Sequence, residues 1–294
     1  MRLPPPLGEA IEAALGQAVR EGARVSGGDL NDAWKVELEN GSAAFVKTAE
    51  DAQPGGYRAE ADGLGWLSEP GAIAVPQMLA VTDPDDPEEA GPRLLALGWI
   101  EEGSLDGAGE EELGRGLAGT HGAGAPSFGG GAPLRLGPLS IPNEPADSWA
   151  EFYAERRIRP LARDAAARGA LPEGCMQALD RVCERIEDLA GPEEPTARLH
   201  GDLWSGNVLA GRDGRPHLID PAAYGGHREV DLAMLRLFGG PSQRCFAAYE
   251  ETTPLADGHE ARVPLWQLFP LLVHAVLFGG GYGSSVARIA ARLG

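Results

Sequence analysis

Three polar side chains in the second half of the chain have the types and the spacing that phosphoryl transfer needs. Asp202 and Asn207 lie in the stretch His-Gly-Asp-Leu-Trp-Ser-Gly-Asn that starts at His200, and Asp220 follows later in the chain. Such a site needs a carboxylate that accepts the proton of the attacking hydroxyl, with hard oxygen ligands for Mg²⁺ nearby. We therefore expect Asp202 to be the catalytic base and Asn207 and Asp220 to bind the metal.

The residues between Asn207 and Asp220 predict a β-hairpin. Two short strands, residues 208–209 and 217–219, flank a turn that contains Asp213-Gly214, a dipeptide typical of tight turns. A hairpin would fold Asp220 back beside Asn207. Each residue taken alone is better explained as a helix cap or a surface charge, and it is their fixed offsets that favour the catalytic interpretation.

Lys47 and Glu60 are the candidates for holding the phosphates of a nucleotide. Only two of the 25 basic residues are lysines, Lys35 and Lys47. Lys47 ends a predicted strand, and Glu60 lies in a helix predicted for residues 57–67, where its carboxylate could fix the ammonium group in place. An exposed lysine and an exposed glutamate are the ordinary alternative when each is taken singly.

Two further stretches offer backbone groups to a nucleotide. Gly27 and Gly28 precede alternating apolar residues and predict a glycine turn between two strands, where backbone N–H groups could approach phosphate oxygens. A hairpin that binds no ligand explains the same residues, and the full GxGxxG pattern is absent. Residues 98–103 predict a hinge in which the backbones of Gly98 and Ile100 could meet the edge of an adenine.

The order of the predicted elements indicates an α+β fold with two lobes. A helix at residues 7–20, five strands and the helix at 57–67 form a small antiparallel lobe over residues 1–98. Residues 99–294 form a larger, mostly helical lobe. Its predicted helices cover residues 110–121, 149–167, 176–189, 229–238, 244–250, 265–278 and 285–293, and residues 122–145 are expected to be an irregular loop. We interpret the apolar run 269–278, which contains His274, as a buried core helix and not as a ligand site.

Composition indicates which kinds of partner the protein does not bind and in which compartment we expect it. The net charge of -19 argues against binding to nucleic acid or to an anionic membrane, which needs clustered basic residues. The three cysteines, Cys175, Cys183 and Cys245, form no CxxC pair, which is typical of free thiols in a reducing compartment. No apolar run reaches the ~18 residues of a membrane span, and the N-terminus lacks the pattern of a signal peptide. We expect a cytoplasmic monomer.

With these pieces placed, the sequence resembles the fructosamine kinase, or ketosamine kinase, family. That family belongs to the larger group that shares its fold with aminoglycoside phosphotransferases and protein kinases. The stretch from His200 to Asn207 has the spacing of the kinase catalytic loop, with Gly201 in place of the usual Arg. Trp204 and the segment Gly-His-Arg-Glu-Val-Asp that ends at Asp231 narrow the resemblance to this family.

The resemblance implies a protein-kinase-like fold and the use of ATP and Mg²⁺. It implies phosphorylation of a hydroxyl on the sugar part of a ketosamine, the product formed when a sugar condenses with an amine. The phosphorylated product is unstable and releases the amine, so the implied role is deglycation. The implied residue roles are Asp202 as base, Asn207 and Asp220 on Mg²⁺, Lys47 paired with Glu60 at the phosphates, Gly98 and Ile100 at the adenine, Trp204 stacked on the sugar, and Asp231 as structural support of the catalytic loop.

Several alternatives stay open. Trp204 could be a core tryptophan, and Gly98 stands where many relatives have an acidic residue, so only backbone contacts are expected there. Another small-molecule kinase of the same fold, acting on an aminoglycoside or an amino alcohol, would suit an acidic cleft. An ATP-binding module without activity would lack at least one residue of the catalytic set, and none is missing.

Overall fold

A five-stranded antiparallel sheet occupies the first third of the chain. The structure is a computed structural model that describes residues 3–25, 32–49, 53–84 and 91–294. The strands follow the order β1-β2-β3-β5-β4 across the sheet. They are β1 (Val19–Val25), β2 (Asp32–Leu38), β3 (Ala43–Thr48), β4 (Met78–Thr82) and β5 (Leu94–Gly98), and two helices accompany them, α1 (Pro5–Leu15) and α2 (Gly56–Ser68).

The two helices pack against opposite faces of this sheet. Leu94 of β5 belongs to a buried cluster with Ile11 of α1, whereas the next residue, Leu95, belongs to a cluster with Leu64 of α2. Successive side chains of a strand point to opposite faces, so one apolar strand serves both helices. This packing holds α2, which carries Glu60, at a fixed distance from the sheet.

The first helix is shorter than predicted. The sequence indicated a helix over residues 7–20, but α1 ends at Leu15 and β1 begins at Val19. Gly16 adopts a left-handed conformation, with φ of 64°, and its N–H donates to the carbonyl of Glu12 at 2.8 Å. Glycine in this conformation is a common helix end, and here it stops a pattern whose apolar spacing alone would have continued.

The remainder of the chain is mostly helical, which confirms the predicted α+β class with a small sheet lobe and a larger helical lobe. The boundary between lobes near residues 98–103 stays a prediction. The helices are α3 (Gly107–Gly122), α4 (Trp149–Phe152), a π-helical turn (Tyr153–Ile158), α5 (Arg159–Ala167), α6 (Cys175–Glu184), α7 (Ile186–Leu189), α8 (Glu229–Leu235), α9 (Gln243–Thr252), α10 (His259–Phe278) and α11 (Tyr282–Leu293). The short strands pair as β6 (Leu134–Leu136) with β7 (Leu139–Ile141), β8 (Ala197–Leu199) with β11 (Tyr224–Gly226), and β9 (Val208–Ala210) with β10 (Pro216–Leu218).

Helix α10 forms the centre of the helical lobe. Its side chains Trp266, Phe269 and Leu272 are fully buried within the largest apolar cluster. It is also the one helix among the described residues that is long and apolar enough to cross a membrane, yet 61% of the relevant window is buried inside the protein. That burial is typical of a core helix, as the sequence predicted, although the last turn of α10 reaches a cleft described below.

The expectation of an irregular loop over residues 122–145 was partly wrong. Strands β6 and β7 form a hairpin there, with Leu134 paired to Ile141 and both side chains buried. The turn consists of Gly137, with φ of 54°, and Pro138. The strand signal in the sequence is the alternation Leu-Arg-Leu before this Gly-Pro pair. The many glycines and prolines around it hid this signal.

Candidate active site

Asp231 supports the loop that follows β8. Its carboxylate oxygens accept hydrogen bonds from the backbone N–H of His200 at 2.7 Å and of Gly201 at 3.0 Å. The ring of His121 lies 3.3 Å from the same carboxylate. Burial disfavours the charged carboxylate, but the hydrogen bond and charge from His121 and the interactions with His200 outweigh it, so the pKa of Asp231 is lowered. The fully buried Asp231 therefore stays ionised and fixes the start of the loop.

Gly201 stands where only glycine fits. Its φ is 82°, and a Cβ atom there would lie 1.9 Å from the carbonyl oxygen of Ala222. The absence of the usual arginine at this position therefore follows from a close approach of two backbone segments.

Asp202 and Asn207 are in direct contact across the loop. The Nδ2 atom of Asn207 donates to the backbone carbonyl of Asp202 at 2.8 Å and to its Oδ2 at 3.1 Å. These bonds fix the carboxylate and turn the Oδ1 atom of Asn207 away from Asp202. Burial raises the pKa of Asp202 to about 7, and the negative charges of Asp220 and Asp231 act in the same direction.

The predicted hairpin brings Asp220 to this pair. Strands β9 and β10 are antiparallel, and the N–H of Ile219 donates to the carbonyl of Asn207 at 3.1 Å. Nε2 of His200 lies 2.9 Å from the carbonyl of Ile219, so this nitrogen carries the proton that it donates. Asp220 has a φ of 53° and is the one non-glycine among the described residues with positive φ. Such strained conformations cluster at functional sites.

Lys47 joins the sheet lobe to this loop region. Its Nζ lies 3.0 and 3.1 Å from the two carboxylate oxygens of Glu60 and 2.6 Å from Oδ1 of Asp220. Burial disfavours the ammonium, but the two carboxylates outweigh it and raise the pKa of Lys47. Burial, opposed by Lys47, raises the pKa of Glu60 to about 7. The structure thus places Lys47, Glu60 and Asp220 in one group, although Asp220 lies 173 positions after Lys47 in the sequence.

The predicted hinge borders the same cleft. Gly98 and Ile100 both line it, and the N–H of Gly98 is engaged by the carbonyl of Gln77 at 2.7 Å. The second lysine of the chain also lies here, because Nζ of Lys35 contacts Glu101 at 3.1 Å and stands 4.4 Å from the ring centre of Trp99. Gly27 and Gly28 lie outside the described residues, but Val25 and Ala33 on the flanking strands line the cleft.

Trp204 is not a core residue. Its side chain is 39% exposed and lines the cleft that also contains Asp202 and Asp220. The indole lies over Gly206, where a Cβ atom would be 2.2 Å from the ring. The position of the indole therefore requires a glycine at 206. The sequence analysis did not include this requirement.

The cleft extends beyond the polar residues that the sequence identified. Its volume is about 1620 Å³. Besides the residues above, it is lined by the segment 129–138 and by four rings, Phe238, His274, Phe278 and Tyr282. Sequence reasoning assigned His274 to a core helix and not to a ligand site, and it missed the other three rings, since the four come from three separate elements. The one local signal was Phe278-Gly-Gly-Gly-Tyr282, which places two rings on either side of a flexible turn.

Comparisons with known proteins agree on one family. A family model described as fructosamine kinase matches residues 7–293. A probable ketoamine kinase from Synechocystis is 35% identical over 283 residues, which cover 94% of this chain and 92% of that relative. A probable ketoamine kinase from Thermus thermophilus is 37% identical over 262 residues, which cover 89% of this chain and 90% of the relative.

Solved structures show the same relationship. A protein from Thermobifida fusca assigned as a fructosamine-3-kinase has a TM-score of 0.88 and 43% identity, covering 97% of this chain and 98% of its own. A choline kinase from Streptococcus pneumoniae, with a TM-score of 0.60 and 17% identity, covers 97% of this chain and 96% of its own and shares the fold alone. These similarities confirm the predicted protein-kinase-like fold.

Proposed function

Because this chain belongs to the fructosamine kinase family and is therefore an ATP-dependent kinase, we propose that its substrate is a ketosamine. The phosphorylated group is a hydroxyl on the sugar part. The product is unstable and releases the amine, so the outcome is deglycation of an amine or a protein. The enzyme acts as a cytoplasmic monomer in this proposal.

The observation that carries the proposal is the meeting of Asp202, Asn207 and Asp220 with Lys47 in one cleft. Lys47, held by Glu60, binds the phosphates of ATP, and Asp231 keeps the catalytic loop in place. In this proposal the backbones of Gly98 and Ile100 contact the adenine, and Gly27 and Gly28 are assigned to the phosphates. Trp204 stacks on the apolar face of the sugar.

The donor set beside Asp202 fits Mg²⁺. Asn207 directs its Nδ2 to Asp202, which leaves its amide oxygen facing elsewhere, and the side chain of Asp220 is 41% exposed. One amide oxygen and one carboxylate would be the protein ligands, and both are of the kind that Mg²⁺ prefers. A bound Mg²⁺ neutralises charge that develops on the phosphates.

Asp202 accepts the proton in the proposed step. The hydroxyl oxygen of the sugar forms a bond to the γ-phosphorus of ATP while the bond from that phosphorus to the bridging oxygen of ADP breaks. The hydroxyl proton passes to the carboxylate of Asp202. A base with a pKa near 7 is suited to this role, since about half of it is ionised at neutral pH and it still binds a proton well.

A screen for ADP release tests the proposal. Purified protein is assayed with ribulose-, erythrulose- and fructose-amines, with kanamycin and choline as contrasts, and released amine is measured in parallel. We expect turnover of at least one ketosamine, and a loss of about 10²-fold or more in Asp202→Ala with the fold retained by circular dichroism. Turnover of kanamycin or choline alone would overturn the substrate assignment, and near wild-type turnover in Asp202→Ala would overturn the role of Asp202.

A further inference from the structure

Four rings form a continuous wall at one end of the cleft. The ring of His274 lies 4.6 Å from that of Phe238, 5.5 Å from that of Phe278 and 5.0 Å from that of Tyr282, centre to centre. We call these four residues the aromatic wall. Phe278 ends α10, and a glycine turn in which Gly279 and Gly280 have φ of 64° and 61° leads to Tyr282. The turn therefore returns the chain so that both rings meet His274.

The aromatic wall is adjacent to the loop that carries Trp204. The hydroxyl of Ser205 donates to the backbone carbonyl of Phe238 at 3.3 Å, which ties the two segments together. Three large apolar side chains are exposed among the described residues, and two of them, Trp204 and Phe278, line this cleft. Phe278 is 58% exposed. Exposed rings concentrated in a cleft indicate a surface that contacts a ligand.

His274 presents a hydrogen-bond acceptor within this wall. Its Nδ1 lies 2.8 Å from the backbone carbonyl of Pro270, and a carbonyl can only accept, so Nδ1 carries the proton. The other nitrogen, Nε2, then has a free lone pair, and no group in the described part of the chain is bonded to it. Burial lowers the pKa of His274, which favours the neutral ring. The wall thus combines ring faces with a hydrogen-bond acceptor at Nε2 of His274.

The amine half of a ketosamine has the complementary chemistry. Its secondary nitrogen is protonated at neutral pH, so it is a cation with two N–H donors, and it carries an organic substituent. A cation is attracted to aromatic faces, and its N–H groups can donate to Nε2 of His274. A neutral His274 does not repel the cation. Asp202 and Asp220 line the same cleft as the wall and Trp204, and the sugar hydroxyls must lie beside these aspartates.

Resting on the proposed function, we propose that the aromatic wall is the subsite for the amine half of the ketosamine. Nε2 of His274 accepts a hydrogen bond from the ammonium group, and Phe278 and Tyr282 contact its substituent. The preferred substrates are then ketosamines of amines with an apolar or aromatic substituent, while Trp204 contacts the sugar.

A matched substrate series tests this subsite. Ketosamines of one sugar with methylamine, hexylamine and benzylamine differ only in the part that the wall would contact. For the wild-type enzyme we expect the KM to fall about tenfold from the methylamine to the benzylamine compound. In Phe278→Ala the KM of the benzylamine compound rises roughly 5–20-fold, that of the methylamine compound changes by less than about twofold, and the KM for ATP is unchanged.

Two further variants separate the ring contact from the acceptor. Met78→Ala removes a similarly exposed side chain, 47% exposed and not part of the cleft lining, and should leave all KM values unchanged. His274→Phe keeps a ring but removes the acceptor, so it should raise the KM of all three ketosamines and leave that of ATP unchanged.

The outcomes distinguish the two proposals. Two outcomes would overturn the subsite and leave the proposed function standing, provided that ketosamines are turned over. One is that the wild-type KM is the same for all three compounds. The other is that Phe278→Ala changes the KM of all three compounds equally. Failure of the wild-type enzyme to phosphorylate any ketosamine would overturn both.

Discussion

The buried position of Asp202 raises the pKa of its carboxyl, which suits a catalytic base although burial disfavours the ionised form. Its raised pKa of about 7 arises first from burial, and Asn207 stabilises the ionised form. We therefore predict that kcat/KM for a ketosamine falls below about pH 7, by about tenfold for each further pH unit. A profile of kcat/KM against pH measures this directly, because it reports the ionisation of groups in the free enzyme. A profile that stays flat down to pH 5 would contradict the assignment of Asp202.

The same raised pKa has a consequence for stability. A carboxyl whose folded pKa lies above its unfolded value stabilises the fold at low pH, and this contribution is lost as pH rises through about 7. Asp202→Asn, which is neutral throughout, should melt at a higher temperature than the wild-type protein at pH 8, with a smaller difference at pH 5. Asp213→Asn, at an exposed turn, serves as the control with no such trend.

Gly206 offers a way to test Trp204 without removing the indole. A Cβ atom at position 206 would lie 2.2 Å from the ring, so Gly206→Ala must displace it. Because the ring is partly exposed, we expect little change in melting temperature. If the indole contacts the sugar, kcat/KM for the ketosamine falls roughly tenfold while the KM for ATP is unchanged.

A comparison with Trp204→Ala completes this test. Truncation of a core tryptophan lowers the free energy of unfolding by roughly 3–5 kcal/mol, whereas loss of an exposed indole should leave it nearly unchanged. Ketosamine kinetics that stay at wild-type values in both variants would contradict the stacking role.

At the scale of elements, the π-helical turn Tyr153–Ile158 depends on a proline and an arginine. Pro160 has no N–H, so the carbonyl of Arg156 lacks its helical donor, and Nη1 of Arg157 donates to it at 3.1 Å. The fully buried guanidinium also donates to the carbonyl of Pro142 at 2.6 Å and to Oδ1 of Asn143 at 2.7 Å. It thereby anchors the segment that lines the cleft.

We predict that Arg157→Met destabilises the protein by roughly 2–5 kcal/mol, because buried acceptors at residues 142 and 143 lose their donors. The N–H of Gly130 donates to the carbonyl of Asn143 at 2.8 Å, so the cleft wall should loosen and the ketosamine KM should rise. Urea unfolding and steady-state kinetics measure the two effects.

The neighbouring arginine provides the control. Arg156 forms an ion pair with the exposed Glu144 at 3.3 Å, and Arg156→Met should cost less than about 1 kcal/mol. Equal losses in both variants would show that Arg157 has no special anchoring role.

The elements also show what the sequence could predict. The hairpin from Val208 to Leu218 was predicted correctly because its turn residues lie between two short strands, and the helix over residues 57–67 followed from its apolar period. The π-helical turn was not predicted, since Pro160 alone does not specify it and Arg157 acts through tertiary contacts with residues 142 and 143. The end of α1 was missed because one glycine outweighed the apolar spacing around it.

At the scale of the whole molecule, the sequence predicted which polar side chains meet in the cleft, but it did not predict the cleft or its aromatic lining. Asp202, Asn207 and Asp220 are linked by local structure, so their meeting followed from the hairpin. Contacts such as that between His121 and Asp231, 110 residues apart, leave no local pattern. The aromatic wall is assembled from two helices and the segment after α8, so only the packed lobe brings its rings together.

Lys47 is where the two lobes meet. Its ammonium contacts Glu60 from the sheet lobe and Asp220 from the helical lobe. A compact ammonium can lie among three carboxylate oxygens, whereas the planar guanidinium of arginine needs more room and a different hydrogen-bond geometry. We predict that Lys47→Arg lowers kcat/KM by about 10²-fold or more, since small displacements of positioned groups have effects of this size.

The other lysine makes this prediction specific. Lys35 also forms an ion pair, with Glu101 at 3.1 Å, but at the partly exposed hinge, so Lys35→Arg should change kcat/KM by less than about threefold. Both variants should melt within a few degrees of the wild-type protein, which separates a catalytic loss from a folding defect. An unaltered rate in Lys47→Arg would mean that the contact between the lobes is structural and that the phosphates are held by other groups.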